Sequence, residues 1–194
     1  MDGWDFKNYV LGTMFYRYIS ENLCSYINSD EIEAGNPAFD YSKMRDEDAE
    51  EARQGLVEEK GFFILPSELF CNVRERAAGD ENLNETLERV FRHIEESTQG
   101  SESENSFAGL FDDFDVNSNK LGATVAKRNE KLVKLLIGVA DMNLGDVKDH
   151  DIDTFGMPML LPRFPCMHEG GGIASFAIRT FRRRFDGVSV RRIS

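Results

Sequence analysis

The residues best placed to do chemistry lie between Gly109 and Gly122, in the run Gly-Leu-Phe-Asp-Asp-Phe-Asp-Val-Asn-Ser-Asn-Lys-Leu-Gly. Asp112, Asp113, Asp115 and Asn117 offer oxygen donors, while Leu110, Phe111 and Phe114 call for burial. Such a loop is either a cation site or a connector docked on a core. A calcium loop of the EF-hand kind needs spaced oxygen donors, a glycine at its sharp turn and a bidentate glutamate at its end. Counted from Asp113, Asp115 and Asn117 fall in place, but Ser118 occupies the turn and Thr124 stands where the glutamate belongs. Serine resists the positive φ of that turn, and without the glutamate a cation loses two oxygens. The loop therefore reads as a connector whose phenylalanines plug a core. Asp115 and Asn117 are expected to make Asx-type turns or to cap the next helix.

A second cluster is cationic. Lys127, Arg128, Lys131 and Lys134 share one face of a helical pattern from Thr124 to Val139, and Lys120 stands just before it. No other helical face before residue 157 is basic. These five residues are the candidate contacts for phosphate or for an acidic partner, the other reading being a plain solvated face. His93 lies beside an apolar stripe with no partner four residues away and reads as a structural histidine. His150 between Asp149 and Asp151 has the look of a metal triplet, but adjacent helical residues point apart and no second cluster supports it. The chain has no G-x-G-x-x-G after a strand, no phosphate loop, no G-x-S-x-G and no H-E-x-x-H. Residues 1–156 are thus expected to hold no catalytic, cofactor-binding or metal-binding group.

The elements that must position these clusters read as helices. Residues 4–27 carry two apolar rows at four-residue spacing, Phe6-Val10-Met14-Tyr18 and Phe15-Ile19-Leu23-Ile27. Two adjacent rows mean a wide apolar face, hence a central helix. Gly12 implies close approach of another helix there. Residues 28–45 read as turns and 46–54 as a short acidic helix with a solvated face. Gly61-Phe-Phe-Ile-Leu-Pro66 suits a short extended segment or β-bridge, after which Ser67 could cap a helix over 68–76 that buries Leu69, Phe70 and Val73. Asn82 and Glu85 have the spacing of a capping box, ahead of the stripe Leu83, Leu87, Val90, Phe91 and Ile94. Residues 97–106 read as a polar linker, and Val125, Leu132, Leu135, Leu136 and Val139 as the buried face of the last helix.

Composition narrows the class further. At 194 residues and 41% hydrophobic, with 15 Phe, the chain can bury a real core. A net charge of −12 is unlike a free-standing nucleic-acid binder. Cys24, Cys71 and Cys166 are odd in number and form no C-x-x-C, which points to a reducing cytoplasm rather than a disulfide scaffold or a zinc site. The N-terminus lacks the basic and apolar regions of a signal peptide, and no apolar run is long enough to span a membrane. The charge is uneven: residues 157–194 hold seven Arg against two acids, a net of +5, which leaves −17 for residues 1–156.

Several stretches resemble one family. Trp4-Asp-Phe-Lys-Asn-Tyr-Val-Leu-Gly-Thr-Met-Phe-Tyr-Arg-Tyr-Ile-Ser20 is similar to the opening helix of the modification (methyltransferase) subunit of type I restriction–modification systems. Gly61–Pro66, the Gly109–Gly122 loop, the Arg-Asn-Glu-Lys-Leu helix and Asp151-Ile-Asp-Thr-Phe-Gly156 continue that resemblance over about residues 3–156. It implies an all-helical N-terminal domain that helps enclose DNA and contacts neighbouring subunits. It also implies a following Rossmann-like domain that transfers a methyl group from S-adenosylmethionine to adenine N6. The implied partners are a specificity subunit, a restriction subunit and, through the complex, DNA; no membrane is involved.

After Gly156 the resemblance stops. The family's Gly-Glu-Phe-(Phe/Tyr)-Thr-Pro, Asp-Pro…Gly-(Ser/Thr)-Gly and Asn-Pro-Pro-(Phe/Tyr) motifs are absent, and a Pro-, Gly- and Arg-rich sequence takes their place. A frameshift at or just after Gly156 is the expectation that accounts for this, with a nucleic-acid arm as its rival. The sequence therefore predicts a mainly α fold: a helical bundle over 1–156 with a short extended segment, then an irregular, disordered basic tail over 157–194. The chain alone is expected to be inactive in methyl transfer. The reading from another class is a stand-alone acidic helical adaptor that binds proteins and does no chemistry.

Overall fold

A computed structural model of the protein describes residues 3–142. The expectations for Asp149–Asp151, for the match at Asp151–Gly156 and for the tail over 157–194 lie outside the described residues. Among those described, seven α-helices and three short 3-10 turns follow one another without a strand. The helices are α1 (Gly3–Glu33), α2 (Asp46–Glu50), α3 (Arg53–Lys60), α4 (Phe70–Arg76), α5 (Leu83–Ser97), α6 (Glu104–Phe107) and α7 (Val125–Ala140). None is both long and apolar enough to cross a membrane.

α1 is the central helix expected, but longer and turned differently. The row facing the core is Tyr9, Thr13, Tyr16, Ser20 and Leu23. Phe6 and Tyr18, at 55% and 43% exposure, belong to the outer side, and Val10 and Met14 are only half-buried. Sequence reading passed over the true row because it contains two hydroxyls. Both are satisfied, which removes the penalty for burying them. Thr13 Oγ1 donates to the Tyr9 carbonyl at 2.8 Å, and Ser20 Oγ accepts the Phe70 amide at 3.2 Å. The expected turn at Asn28–Asp30 is helix. The stop comes at Gly35, whose φ of +98° lets Asn36 N–H return to the Glu31 carbonyl at 2.8 Å, a Schellman closure.

Tyr16 is the hub of the core. Its ring meets Phe70 and Phe91 edge-on, with centroids 5.6 and 5.5 Å away, and its hydroxyl donates to the Glu68 carbonyl. Burial, then the nearby Glu68 carboxylate, push the phenol well above its usual range. Glu68 itself is buried and bonds His93 Nδ1 at 2.7 Å, which gives His93 the structural partner its position called for. Burial raises the Glu68 carboxyl, and His93 opposes that rise.

The short acidic helix divides into α2 and α3, with α3 running on to Lys60. Gly61 closes α3 in the left-handed region, and the buried Phe62, Phe63 and Ile64 that follow pair with no strand. Their backbone is satisfied from side chains: Phe63 N–H donates to Ser97 Oγ at 3.0 Å, and the Ile64 carbonyl accepts from Tyr41 Oη at 2.8 Å. Ser67 is not a cap. It donates to Asp46 at 2.5 Å, and Leu69 precedes α4 without a side-chain cap bond. Leu69, Phe70 and Val73 are buried as expected, as is the whole stripe from Leu83 to Ile94 on α5. The polar stretch after α5 is no solvated linker. Ser97, Thr98 and Ser106 are buried, and residues 104–107 form α6.

Gly12 is explained by a ring and not by another helix. A Cβ built there would stand 2.6 Å from Phe114 Cδ2, and that ring is buried against Tyr9 and Phe91. Helix propensity alone favours alanine by about 1 kcal/mol, while overpacking costs about 1–3 kcal/mol. Gly12→Ala is therefore expected to lower the urea midpoint by the equivalent of up to roughly 2 kcal/mol. A rise in midpoint would show that the ring does not need the notch.

Candidate contact face at the start of the last helix

The connector from Ala108 to Thr124 is a shaped plug. Phe111 stacks flat on Phe91, with centroids 4.1 Å apart and planes within 7°. Phe114 meets Phe91 and Tyr9 edge-on at 5.0 and 5.1 Å, and Val116 and Leu121 are buried beside them. The backbone is tied down as well. Tyr9 Oη donates to the Asp115 carbonyl at 2.8 Å, and Phe111 N–H donates to Glu95 Oε1 at 3.2 Å. Asn117 N–H donates to Asp115 Oδ1 at 2.9 Å, the Asx turn anticipated from the sequence. Among the described residues no group of three or more His, Cys, Asp or Glu side chains converges on a point where a metal could sit.

Two asparagines join α7 to α5. Asn129 is buried on α7; its Oδ1 accepts the Asn84 amide at 3.1 Å and its Nδ2 donates to the Glu81 carbonyl at 2.6 Å. The first turn of α5 is thus capped from another helix. The capping box expected from Asn82 and Glu85 is not formed, since Asn82 makes no side-chain cap bond. Asp80 serves locally instead, accepting from Asn82 N–H at 2.9 Å and Thr86 Oγ1 at 2.7 Å. Asn84 Nδ2 donates to Asn117 Oδ1 at 2.8 Å, so Asn117 ties the connector to α5 and does not cap α7. That cap is Thr124, whose Oγ1 accepts the Lys127 amide at 3.3 Å. Sequence reading missed Asn129; its place three residues before Leu132 on the buried row was the available signal.

With α7 seated in this way, its basic side faces out. Leu132, Leu135, Leu136 and Val139 are buried as expected, whereas Val125 is exposed at the first turn. Four of the five candidate cations gather around residues 120–122. Arg128, half-buried, donates from Nη1 to the Gly122 carbonyl at 3.3 Å, and Lys131 Nζ reaches the Lys120 carbonyl at 3.4 Å. Lys127 lies against Gly122, where an added Cβ would come within 2.7 Å of the Lys127 Cβ. The fifth, Lys134, is drawn into an ion pair with Glu130 at 2.6 Å. Lys134 first, then Lys127 and Lys131, hold the Glu130 carboxyl below its usual range. Among the described residues Lys127, Arg128 and Lys131 have no carboxylate within ion-pair distance. The result is an exposed cationic knob on an acidic body. It can attract an anion electrostatically.

Comparison with known proteins bears on this arrangement. A family model described as the HsdM N-terminal domain matches residues 1–138. The type I restriction enzyme MpnII methylase subunit of Mycoplasma pneumoniae is 45% identical over 164 residues, which cover 80% of this chain and 30% of that protein. The crystal structure of the type I restriction-modification system methyltransferase subunit from Streptococcus thermophilus aligns with a TM-score of 0.60 and 27% identity, over 78% of this chain and 32% of that one. The chain therefore spans about a third of the length of the relatives it matches.

The asparagine joint yields a direct check. Asn129→Ala leaves the buried Asn84 amide and the Glu81 carbonyl without their partner, at an expected cost of about 1–3 kcal/mol. Urea unfolding of the full chain measures it. An unchanged midpoint would mean that α5 is capped by other means.

Proposed function

Since the chain belongs to the HsdM N-terminal domain family, the helical N-terminal part of type I restriction–modification methyltransferase subunits, we propose that residues 3–142 act as an assembly and DNA-enclosing module. The specificity and restriction subunits are its partners in this reading, and duplex DNA reaches it inside the complex. S-adenosylmethionine-dependent methyl transfer to adenine is assigned to the kind of full-length subunit that the relatives represent. The described residues do not fit that cofactor. They contain no strand and no glycine-rich turn at a strand end, the arrangement a Rossmann-type site uses. No step of the reaction is assigned to them.

The observation that carries the reading is the cationic knob of Lys120, Lys127, Arg128 and Lys131. The body around it is strongly acidic, with −17 over residues 1–156, so DNA is repelled from most of the surface. Only a locally basic point can approach a phosphate backbone, and a contact of this kind carries no sequence information. Reading of the target sequence then falls to another subunit.

Charge reversal tests this. In a complex reconstituted with the co-expressed specificity subunit, Lys127→Glu with Lys131→Glu is expected to weaken duplex binding about tenfold or more and to reduce the salt slope by about 2. The loss should be uniform across target and non-target sequences. Affinity and salt slope equal to those of the unaltered complex would remove DNA from the role of this face. A chain that never co-purifies with a specificity subunit would count for the stand-alone adaptor.

A further inference from the structure

The two described cysteines sit on helices that pack against each other. On α1, Ser20, Cys24 and Asn28 recur at four-residue spacing and form one row. On α4, Phe70, Cys71 and Asn72 are consecutive in the first turn. The two sets are joined at both ends. Ser20 Oγ accepts the Phe70 amide at 3.2 Å, so one hydroxymethyl group and one hydrogen bond hold the two backbones no more than about 7 Å apart there. At the other end both asparagines grip the turn at Tyr41–Lys43. Asn28 Oδ1 accepts the Tyr41 amide at 2.8 Å, and Asn72 Nδ2 donates to the Ser42 carbonyl at 2.7 Å.

The middle members of the two sets are Cys24 and Cys71, both free thiols. Each touches its asparagine: Asn28 Nδ2 donates to Cys24 Sγ at 3.6 Å, and Cys71 Sγ donates to Asn72 Oδ1 at 3.8 Å. Burial, then the nearby Cys71 sulfur, push the Cys24 thiol above its usual range, so the two sulfurs stand within each other's field. Cys24 is half-buried and Cys71 exposed, so an oxidant in solution meets Cys71 first. An open sulfur with a sheltered one beside it is the arrangement of an attacking and a resolving thiol.

We propose that Cys24 and Cys71 form a redox-sensitive staple between α1 and α4, closed by hydrogen peroxide and opened by thiol reductants. The Cys71 thiolate attacks one oxygen of the peroxide; the S–O bond forms, the O–O bond breaks, and the departing hydroxide takes up a proton and leaves as water. Cys24 then attacks the sulfenic sulfur; the S–S bond forms, the S–O bond breaks, and hydroxide leaves as water with the Cys24 proton. Two thiols and one peroxide give one disulfide and two waters, the peroxide gaining the two electrons that the sulfurs lose. Once closed, the staple restricts the unfolded chain between residues 24 and 71 and so favours the folded bundle. The pair lies on α1 and α4, so it does not rest on the reading of the basic face of α7.

The test uses the full chain, exposed to hydrogen peroxide and mapped by mass spectrometry without reduction. The expected result is a monomer lighter by two hydrogens, with the peptides that carry Cys24 and Cys71 joined. Its melting midpoint should rise by about 5 °C or more and fall back with dithiothreitol. Cys24→Ser, a change of little volume, should leave Cys71 as a sulfenic acid that dimedone traps, with no joined peptide and no rise in midpoint. A link from either residue to Cys166, a dimer joined through Cys71, oxidation of Cys71 alone in the unaltered chain, or no loss of hydrogen would overturn the proposal. So would a joined pair that melts no higher than the reduced chain.

Discussion

The structure depends on one fit: the Phe114 ring lying in the notch left by Gly12. Around that contact the other restraints become mutually consistent. Phe114 can meet Tyr9 and Phe91 edge-on only if α1 approaches closely, and Gly12 is what permits the approach. Tyr9 is then placed to bond the Asp115 carbonyl, and Phe111 to stack on Phe91. The connector has no regular element, and its backbone pairing is a series of turn bonds such as Phe114 N–H to the Phe111 carbonyl at 2.8 Å and Leu121 N–H to the Ser118 carbonyl at 3.1 Å. Four buried apolar side chains and a few side-chain to backbone bonds hold those turns on the core.

The acidic loop thereby acquires a definite role. Its carboxylates point to water and its rings to the core, so the conflict between the two side-chain types is resolved by alternation and needs no cation. What the loop delivers is the placement of α7. The plug sets where residues 120–122 lie, the Asn84–Asn129 joint sets the rotation of α7, and the Arg17 clamp sets its far end. The basic face is a consequence of those three restraints, since they decide which side of α7 is left for solvent.

Much of this was legible in the sequence where one residue type answers one question. The stripe on α5, the burial of Leu132 to Val139, the plug phenylalanines and the structural role of His93 follow from periodicity and from the cost of burying rings and charges. The family resemblance on the Gly109–Gly122 run was equally plain. The misses share a cause. Thr13, Ser20 and Asn129 are polar residues on buried rows, and Ser97 is polar in a stretch read as linker. Thr13 is satisfied one helical turn back, by the Tyr9 carbonyl, while Ser20, Ser97 and Asn129 meet partners far along the chain that no local pattern displays. The caps failed in the same manner: Asn82 and Ser67 have the right type at the right spacing, but Asn129 and Asp46 from elsewhere took over the local geometry. Lys134 belongs by periodicity to the same basic face, and its pairing with Glu130 is not visible in that periodicity.

The asparagine joint between α5 and α7 is neutral. Its donors and acceptors are amides, so neither a change in pH across the physiological range nor added salt alters their strength directly. The cationic knob carried on the same helix is the reverse, a set of exposed charges whose reach contracts as ions are added. One helix thus combines an anchorage indifferent to the ionic medium with a charged face whose field that medium governs. Raising the ionic strength would weaken the field of the basic face while leaving its mounting in place, so that the same field returns once the salt is withdrawn.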